Sequence, residues 1–422
     1  MPWDWTDTAK LNYANRDVWR AEADAMEFWV RRHAVDGFRC DMAMLVPVEF
    51  WNEAARRLRK VNPGLFLLAE AEEDGHFHRR WLGALAGGVL LAVRGCAPGA
   101  ASLEGGGTAV TGVSAQMTFC ALGDAFVAFD GTYARAYDGR TAELLWERSP
   151  DQSDGYSCAS SDWLLALYKA NSLYVYDTAG NVAFSVSPQK EIARVSAGHS
   201  RVAVQYADDT IEVIDSTGKS VETLTPSDGT LVDFALYSSS DLLYVLMLDA
   251  SGILPRSVLN IYQPGKLLMA GYSTTDQLYY RALMSGSSVY IVGTRTVDGR
   301  STSDTTETSV PIYGWTLRDA CAGDELHMLF TLSSQQENPT ALRVLTGTQT
   351  QDLHMPAGCT DLCMGTRSVY GFAGQTVYSV PLAGGATSVS SLPYAVEDVL
   401  CRLNNNRVLL SSADQVYLVT LP

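Results

Sequence analysis

The chain has 422 residues and a formal net charge of −16, with 47% hydrophobic and 18% charged residues. Such a composition describes globular domains with a large core and excludes a disordered chain. Residues 1–80 hold 12 Lys/Arg against 14 Asp/Glu, and residues 81–422 hold 19 against 33, so the acidity belongs to the longer part. No basic patch is left to release phosphate counterions, which argues against nucleic acid and against docking on anionic headgroups.

In chain order, residues 15–33 read as a helix that Asn15 can cap, with Val18, Ala21, Ala25, Phe28, Trp29 and Arg32 at three-to-four spacing. "VDGFRCD" follows as a short apolar strand. Residues 47–61 read as a second helix, with Pro47 in its first turn and Phe50, Trp51, Ala54 and Leu58 on one face. "GLFLLAE" is the next strand, apolar on both faces as a covered parallel strand should be. This α-β-α-β order is a parallel crossover unit. Asp41 and Glu70 stand at the C-terminal ends of its strands, where α/β folds place chemistry.

"DWTDTAKLNYANRDVW", "VDGFRCDMA", "FW" at 50–51 and "LFLLAEAE" together resemble the α-amylase family of retaining glycoside hydrolases, over residues 3–75. The resemblance implies that Asp41 is the nucleophile, that Glu70 is the general acid/base and that Arg39 orients the nucleophile in the substrate site. Retaining chemistry needs two such carboxyls about 5–5.5 Å apart. The segment supplies two strands, whereas the family builds an eight-stranded barrel. The family's upstream Asp and Asn-His motif and its downstream His-Asp motif, with the third catalytic carboxylate, have no counterpart. The expectation is therefore an incomplete, inactive segment over residues 1–78. The alternative is a glycoside hydrolase acting on α-glucans in carbohydrate metabolism, with the rest of the chain as accessory.

Arg79 and Arg80 precede thirteen uncharged residues, 81–93, and then Arg94. Thirteen is short against the roughly 20 a membrane span wants, and a fair length for a signal-type core. The expectation is a hydrophobic helix and linker over residues 79–106 that anchors the chain, its N-terminal side held in the cytoplasm by the arginines. A buried helix is the alternative. "VRGCA" around Cys96 faintly resembles a lipoprotein cleavage site, although Arg94 stands where a small residue belongs. The change of character near residues 72–80 reads as a junction, from gene fusion or from faulty assembly of two genes.

From residue 107 onward short strands and turns repeat. The slot residues are Cys120, Cys158, Ser196, Tyr237, Leu283, Cys321, Cys363 and Cys401, at intervals of 38, 38, 41, 46, 38, 42 and 38 residues. A period near 40 is that of a β-propeller blade. "ARAYDGRTAELLWE", "LYVYDTAGNVAFSV" and "IEVIDSTGKSVETL" carry hairpin turn chemistry. The stretch ending at Trp146 resembles the repeats of pyrroloquinoline-quinone-type propellers, and anchor plus propeller together look like anchored bacterial propeller proteins. No calcium or quinone ligand set is visible, so no cofactor is expected. "CTDLC" has no second Cys/His pair beside it, so no metal is expected either. The slot cysteines read as unpaired small hydrophobes. His199, Asp208 and Asp209 read as loop or hairpin residues, and Tyr279 and Tyr280 as strand packing.

The fold class is thus mainly β: a seven- or eight-bladed β-propeller over residues 107–422, preceded by a short α/β segment and a hydrophobic helix. Residues 107–114 are the natural closing strand. The expected function is an anchored binding or scaffold protein with an unknown protein, peptide or glycan at the propeller face. Its expected place is membrane-anchored with the propeller outside the cytoplasm; the alternative is cytoplasmic.

Overall fold

The structure, a computed structural model, describes residues 11–33, 35, 37–40, 46–62, 65–69, 101–102 and 106–422, less 227–228, 267, 304–305, 324, 336–337 and 405. The chain divides into two compact units, residues 1–96 and 97–422.

In the first unit, helix α1 (Arg16–His33) leads to strand β1 (Gly37–Cys40), helix α2 (Val48–Arg59) and strand β2 (Phe66–Ala69). The two strands pair in parallel, Gly37 opposite Phe66 and Cys40 opposite Ala69. Asn15 caps α1 by accepting from the Asp17 N–H at 2.9 Å. The α2 face is the expected one, with Phe50, Trp51, Ala54 and Leu58 buried. The α1 face is rotated from expectation: Trp19, Ala23 and Val30 are buried, while Phe28 and Trp29 are about half exposed. Trp19, Phe50, Trp51 and Ala54 pack as one cluster, and Val30, Leu58 and Leu65 as another. These contacts select the 19–23–26–30 stripe over the equally periodic 18–21–25–28 stripe. Among the described residues the α/β arrangement amounts to this two-stranded unit. No helix among the described residues is long and apolar enough to cross a membrane, and the segment assigned to the anchor, 81–93, lies outside the described residues.

The second unit is an eight-bladed β-propeller. Blade 1 comprises Thr118–Leu122, Ala125–Phe129, Ala134–Asp138 and Leu144–Arg148, each antiparallel to the next. Six more meanders follow in the same order, and their first strands neighbour one another around the axis. The innermost strands of blades 2 to 8 are Ser157–Ser160, Ile192–Ala197, Thr230–Leu236, Tyr279–Ser285, Trp315–Ala322, Asp361–Met364 and Asp398–Arg402. Blade 8 contributes three strands of its own, and Thr108–Ala109 completes it, antiparallel to Gln415–Thr420. The expected closing segment is therefore the one used. Blade 7 gains a fifth strand, Ala101–Ser102, parallel to Ser388–Ser391.

The third-to-fourth strand turns of blades 1 to 3 share one device. Asp138, Asp177 and Asp215 each fold a carboxylate oxygen back onto two backbone N–H groups of the following turn, at 2.7–3.1 Å. Trp146 then lies flat on the next blade's turn. A Cβ at Gly180, where φ is +76°, would stand 2.7 Å from the indole, and the indole N–H donates to the Thr178 carbonyl at 3.0 Å. Phe184 occupies the matching place over Gly218 of blade 3, a smaller ring doing the same job.

Closure is tight. A Cβ at Gly107, φ +86°, would sit 2.7 Å from Val419 Cγ2 and 2.8 Å from the Leu418 carbonyl oxygen. Gly107→Val should lower stability by about 2 kcal/mol or more from backbone strain alone. A thermal midpoint equal to the native one would refute that. In blade 5, buried Asp298 accepts from Gln277 Nε2 at 3.0 Å, Tyr279 O–H at 2.5 Å, Thr296 Oγ1 at 2.9 Å and Ser309 Oγ at 2.6 Å. Burial would raise its pKa, but the Ser309, Tyr279 and Thr296 bonds outweigh it and hold the carboxyl below its ordinary value. The stability this contributes is present above the unfolded value, about 3.9, and is lost as pH falls through the lower folded value. Asp298→Ala should cost about 3 kcal/mol in stranded donors at neutral pH and less in acid. Chemical denaturation at both pH values reads this difference.

Candidate functional site in the axial cavity

The propeller's polar residues concentrate on its innermost strands. In blades 3, 4, 5, 6 and 8 these strands carry a one-residue register shift, at Ala193, Val232, Tyr280, Arg318 and Leu400. A bulge bends the strand and re-aims the next side chain. The next residues are Arg194, Asp233, Arg281, Asp319 and Cys401. The repeat slot explains the pattern. Two residues before it stand Arg194, Arg281, Asp319 and Asp361, and Asp233 joins the set once the blade 4 slot is Ala235. Tyr237 falls one residue past strand Thr230–Leu236, so the slot assigned there moves to Ala235, which pairs with Tyr244.

Arg194, Asp233 and Arg281 meet across three blades. Arg194 Nη2 lies 2.9 Å from Asp233 Oδ1, and Arg281 Nη1 lies 3.4 Å from Asp233 Oδ2. The Tyr244 hydroxyl donates to Asp233 Oδ2 at 2.7 Å, and Arg194 also donates to the Phe234 carbonyl at 2.9 Å. Burial and the Asp233 charge raise the Tyr244 phenol, keeping it a donor. The Asp233 side chain is 7% exposed, whereas those of Arg194 and Arg281 are 41% and 54% exposed. Two half-open guanidiniums thus share one buried carboxylate. They line a cavity of about 600 Å³ together with Ser160, Ser161, Asp162, Ser196, Tyr237 and Met284. A guanidinium has five donors, so this wall keeps hydrogen-bonding capacity for a ligand.

In blades 6 to 8 Arg402 spends its capacity internally, while Arg318, its side chain 41% exposed, keeps donors of its own. Arg402 Nη1 reaches Asp319 Oδ2 at 2.9 Å and the Met364 carbonyl at 2.7 Å, and Asp319 also accepts from the Met364 N–H at 2.7 Å. Burial would weaken the Arg402 charge, and Asp319 more than restores it. Arg318 pairs with Asp361 at 3.2 Å, and Asp361 accepts from the Val399 N–H at 3.0 Å. This is a structural clamp.

Of the residues singled out in the sequence, Asp41 and Glu70 lie outside the described residues. Arg39 is in β1 opposite Leu68. Asp208 pairs with Lys190 at 2.8 Å, Asp209 sits in a turn at φ +62°, and the His199 N–H donates to Asp241, all loop roles as expected. Tyr279 is buried in strand packing, as expected; Tyr280 is partly exposed, its hydroxyl accepting from the Leu317 N–H at 3.3 Å. Among the described residues there is no group of three or more His, Cys, Asp or Glu that could hold a metal. Sequence reasoning missed Arg194, Asp233 and Arg281. The signal was a charge recurring two residues before the slot in an otherwise apolar strand.

With the site in view, the fold defines the class: an eight-bladed propeller whose innermost strands build a polar axial cavity. The WD40 domain of SCAP from fission yeast is similar in structure, with a TM-score of 0.52 and 11% identity over 75% of this chain and 98% of that one. A eukaryotic initiation factor gives a TM-score of 0.50 and 11% identity over 74% and 87%. BamB from Moraxella catarrhalis gives 0.47 and 13% over 74% and 99%. At these identities the likeness concerns the fold alone. No protein-family model matches the chain. In sequence, a cyclomaltodextrinase of a Bacillus species is 38% identical over 61 residues, 14% of this chain, and one of Geobacillus thermopakistaniensis (strain MAS1) is 32% identical over 65 residues, 15% of this chain. The chain covers 11% of the length of each.

Proposed function

We propose that this chain is a binding or scaffold protein whose propeller captures a carboxylate-bearing peptide segment of a partner protein in the axial cavity. The observation that carries the reading is the pair of half-exposed guanidiniums, Arg194 and Arg281, sharing a single buried carboxylate in a cavity of about 600 Å³. Arginine presents its donors in a fork that matches a carboxylate. Phe234 and Met284 in the same wall favour an amphipathic peptide over a bare sugar. Anchoring through residues 81–93, with the propeller outside the cytoplasm, completes the proposal. The test is binding of the native chain and Arg281→Gln to arrays of acidic peptides and anionic glycans. Arg281 makes the longer of the two Asp233 contacts, so this change leaves Arg194 and Tyr244 on the carboxylate. Acidic peptides should bind the native chain and lose about tenfold or more in affinity with Arg281→Gln, the cost of one charge-assisted bond. Binding only to glycans, or equal binding by both proteins, would sink the peptide reading.

The matches to two cyclomaltodextrinases favour a second reading for the first unit. Asp41 and Glu70 directly follow Cys40 and Ala69, which are partners in the parallel β1–β2 register. Under this reading Asp41 attacks, Glu70 protonates and Arg39 orients. The proposed reading is instead that residues 1–78 form an inactive remnant, because no stretch after residue 80 supplies the family's next barrel strand or its third catalytic carboxylate. Release of nitrophenol from an aryl maltoside should stay at background in both the native chain and Asp41→Asn. A native rate well above that of Asp41→Asn would establish the enzyme.

A further inference from the structure

The axial cavity reverses its charge from one end to the other. On blade 4 its lining runs unbroken from Asp233 to Ser238, about 15 Å at the roughly 3.3 Å rise of a strand residue. Arg194 and Arg281 stand at the Asp233 end. The other end lies among the turns that join first to second strands. The charged residue lining it there is Asp162, in the turn between Ser157–Ser160 and Leu164–Lys169. Among the described residues the Asp162 side chain has no hydrogen-bond or ion-pair partner. A second cavity of about 610 Å³ meets the first at Ala121 and Asp162, and it brings the Asp124 carboxylate to the same end. The cation that lines this second cavity, Arg402, is engaged with Asp319 and the Met364 carbonyl.

Beside Asp162 stands an indole that packing leaves open: Trp163 is 48% exposed. It is nevertheless fixed by two blades. The Trp163 N–H donates to Ser161 Oγ at 3.2 Å, and that hydroxyl donates to the Gly198 carbonyl of blade 3 at 2.7 Å. The next residue, His199, meets the indole at a steep angle with ring centroids 4.6 Å apart. Buried Asp241 of blade 4 anchors that loop by accepting from the His199 and Ser200 N–H groups at 2.6 and 3.1 Å. An immobilised, half-open indole next to an unpaired carboxylate suits a cation, because the ring face attracts the charge and the carboxylate neutralises it.

Building on the peptide reading of the axial cavity, we propose that Asp162 and Trp163 seat a basic side chain of the same peptide whose carboxylate Arg194 and Arg281 hold. The span of the lining sets the two groups about five residues apart on an extended chain. The ligand class is then a peptide with an acidic and a basic residue at that fixed spacing.

The experiment is calorimetric titration of the full chain with three synthetic peptides. The first carries Asp and Lys about five positions apart, the second has norleucine for that Lys, and the third has the Lys next to the Asp. The native chain should bind the first about fivefold more tightly than the other two, the gain from one cation on an exposed ring. With Asp162→Asn or Trp163→Ala the three should bind alike, and with Arg281→Gln all three should weaken together. The comparison of peptides on the native chain does not depend on any variant folding. Equal affinity of the native chain for the three, or a preference that survives both Asp162→Asn and Trp163→Ala, would overturn the inference and leave the arginine site standing. Failure of the native chain to bind any of the three would overturn both.

Discussion

The pairing of Thr108–Ala109 with Tyr417 and Leu418 is the constraint on which the propeller depends. Around it the Val110 N–H donates to the Val416 carbonyl at 2.9 Å, Gln415 Nε2 donates to the Val110 carbonyl at 2.9 Å, and the Ser114 hydroxyl donates to Asp414 at 2.6 Å. Without that strand, blade 8 would expose an unpaired edge, and only the apolar packing of Phe126 and Ala128 on Leu409 and Leu418 would join it to blade 1. The axial cavity depends on the same closure. Its residues come from five blades, and the 2.9 and 3.4 Å contacts around Asp233 hold only at one ring radius.

Convergence of the innermost strands explains the composition there. Near the axis a slot has room for a small side chain, and Cys, Ser and Ala fill it in blades 1 to 4 and 6 to 8. In blades 3 to 6 charged residues sit two positions earlier, just after a bulge that swings them toward a neighbour, and they come in opposite signs because a lone buried charge would be costly. Arg194 answers Asp233, and Arg402 answers Asp319. A hydrophobic shell of the outer three strands surrounds this ring, with cores such as Val202, Val204 and Ile214 running from blade to blade.

Much of the fold was legible before any coordinates. The forty-residue period gives the blades, the Asp-rich turns give the hairpins, and the apolar segment at 107–114 gives the closure. The blade 4 slot was not legible, because its turn around Asp241, at φ +53°, is longer than the others and shifts the alignment by two residues. That shift hid Asp233, and with Asp233 the whole charged set. The α1 face was misread for a different reason: two stripes on one helix were equally periodic, and the choice between them was made by Phe50, Trp51 and Leu58 across the packing interface.

The two arginine clusters differ in hydrogen-bond capacity and not in charge. Arg402 is engaged with Asp319, the Met364 carbonyl and the Ala320 carbonyl, and its side chain is 28% exposed. Offering it a ligand would mean breaking a bond of similar strength, with no net gain. Arg281 has a single contact at 3.4 Å and a side chain 54% exposed, so an incoming carboxylate would find donors already oriented by Asp233 and not yet committed. Asp233 itself stays satisfied by Arg194 and Tyr244 throughout. A buried carboxylate that holds two cations near the axis while fully occupying neither is an arrangement that stability alone does not require. It is on blades 3 to 5 that two guanidiniums share one carboxylate and keep donors uncommitted.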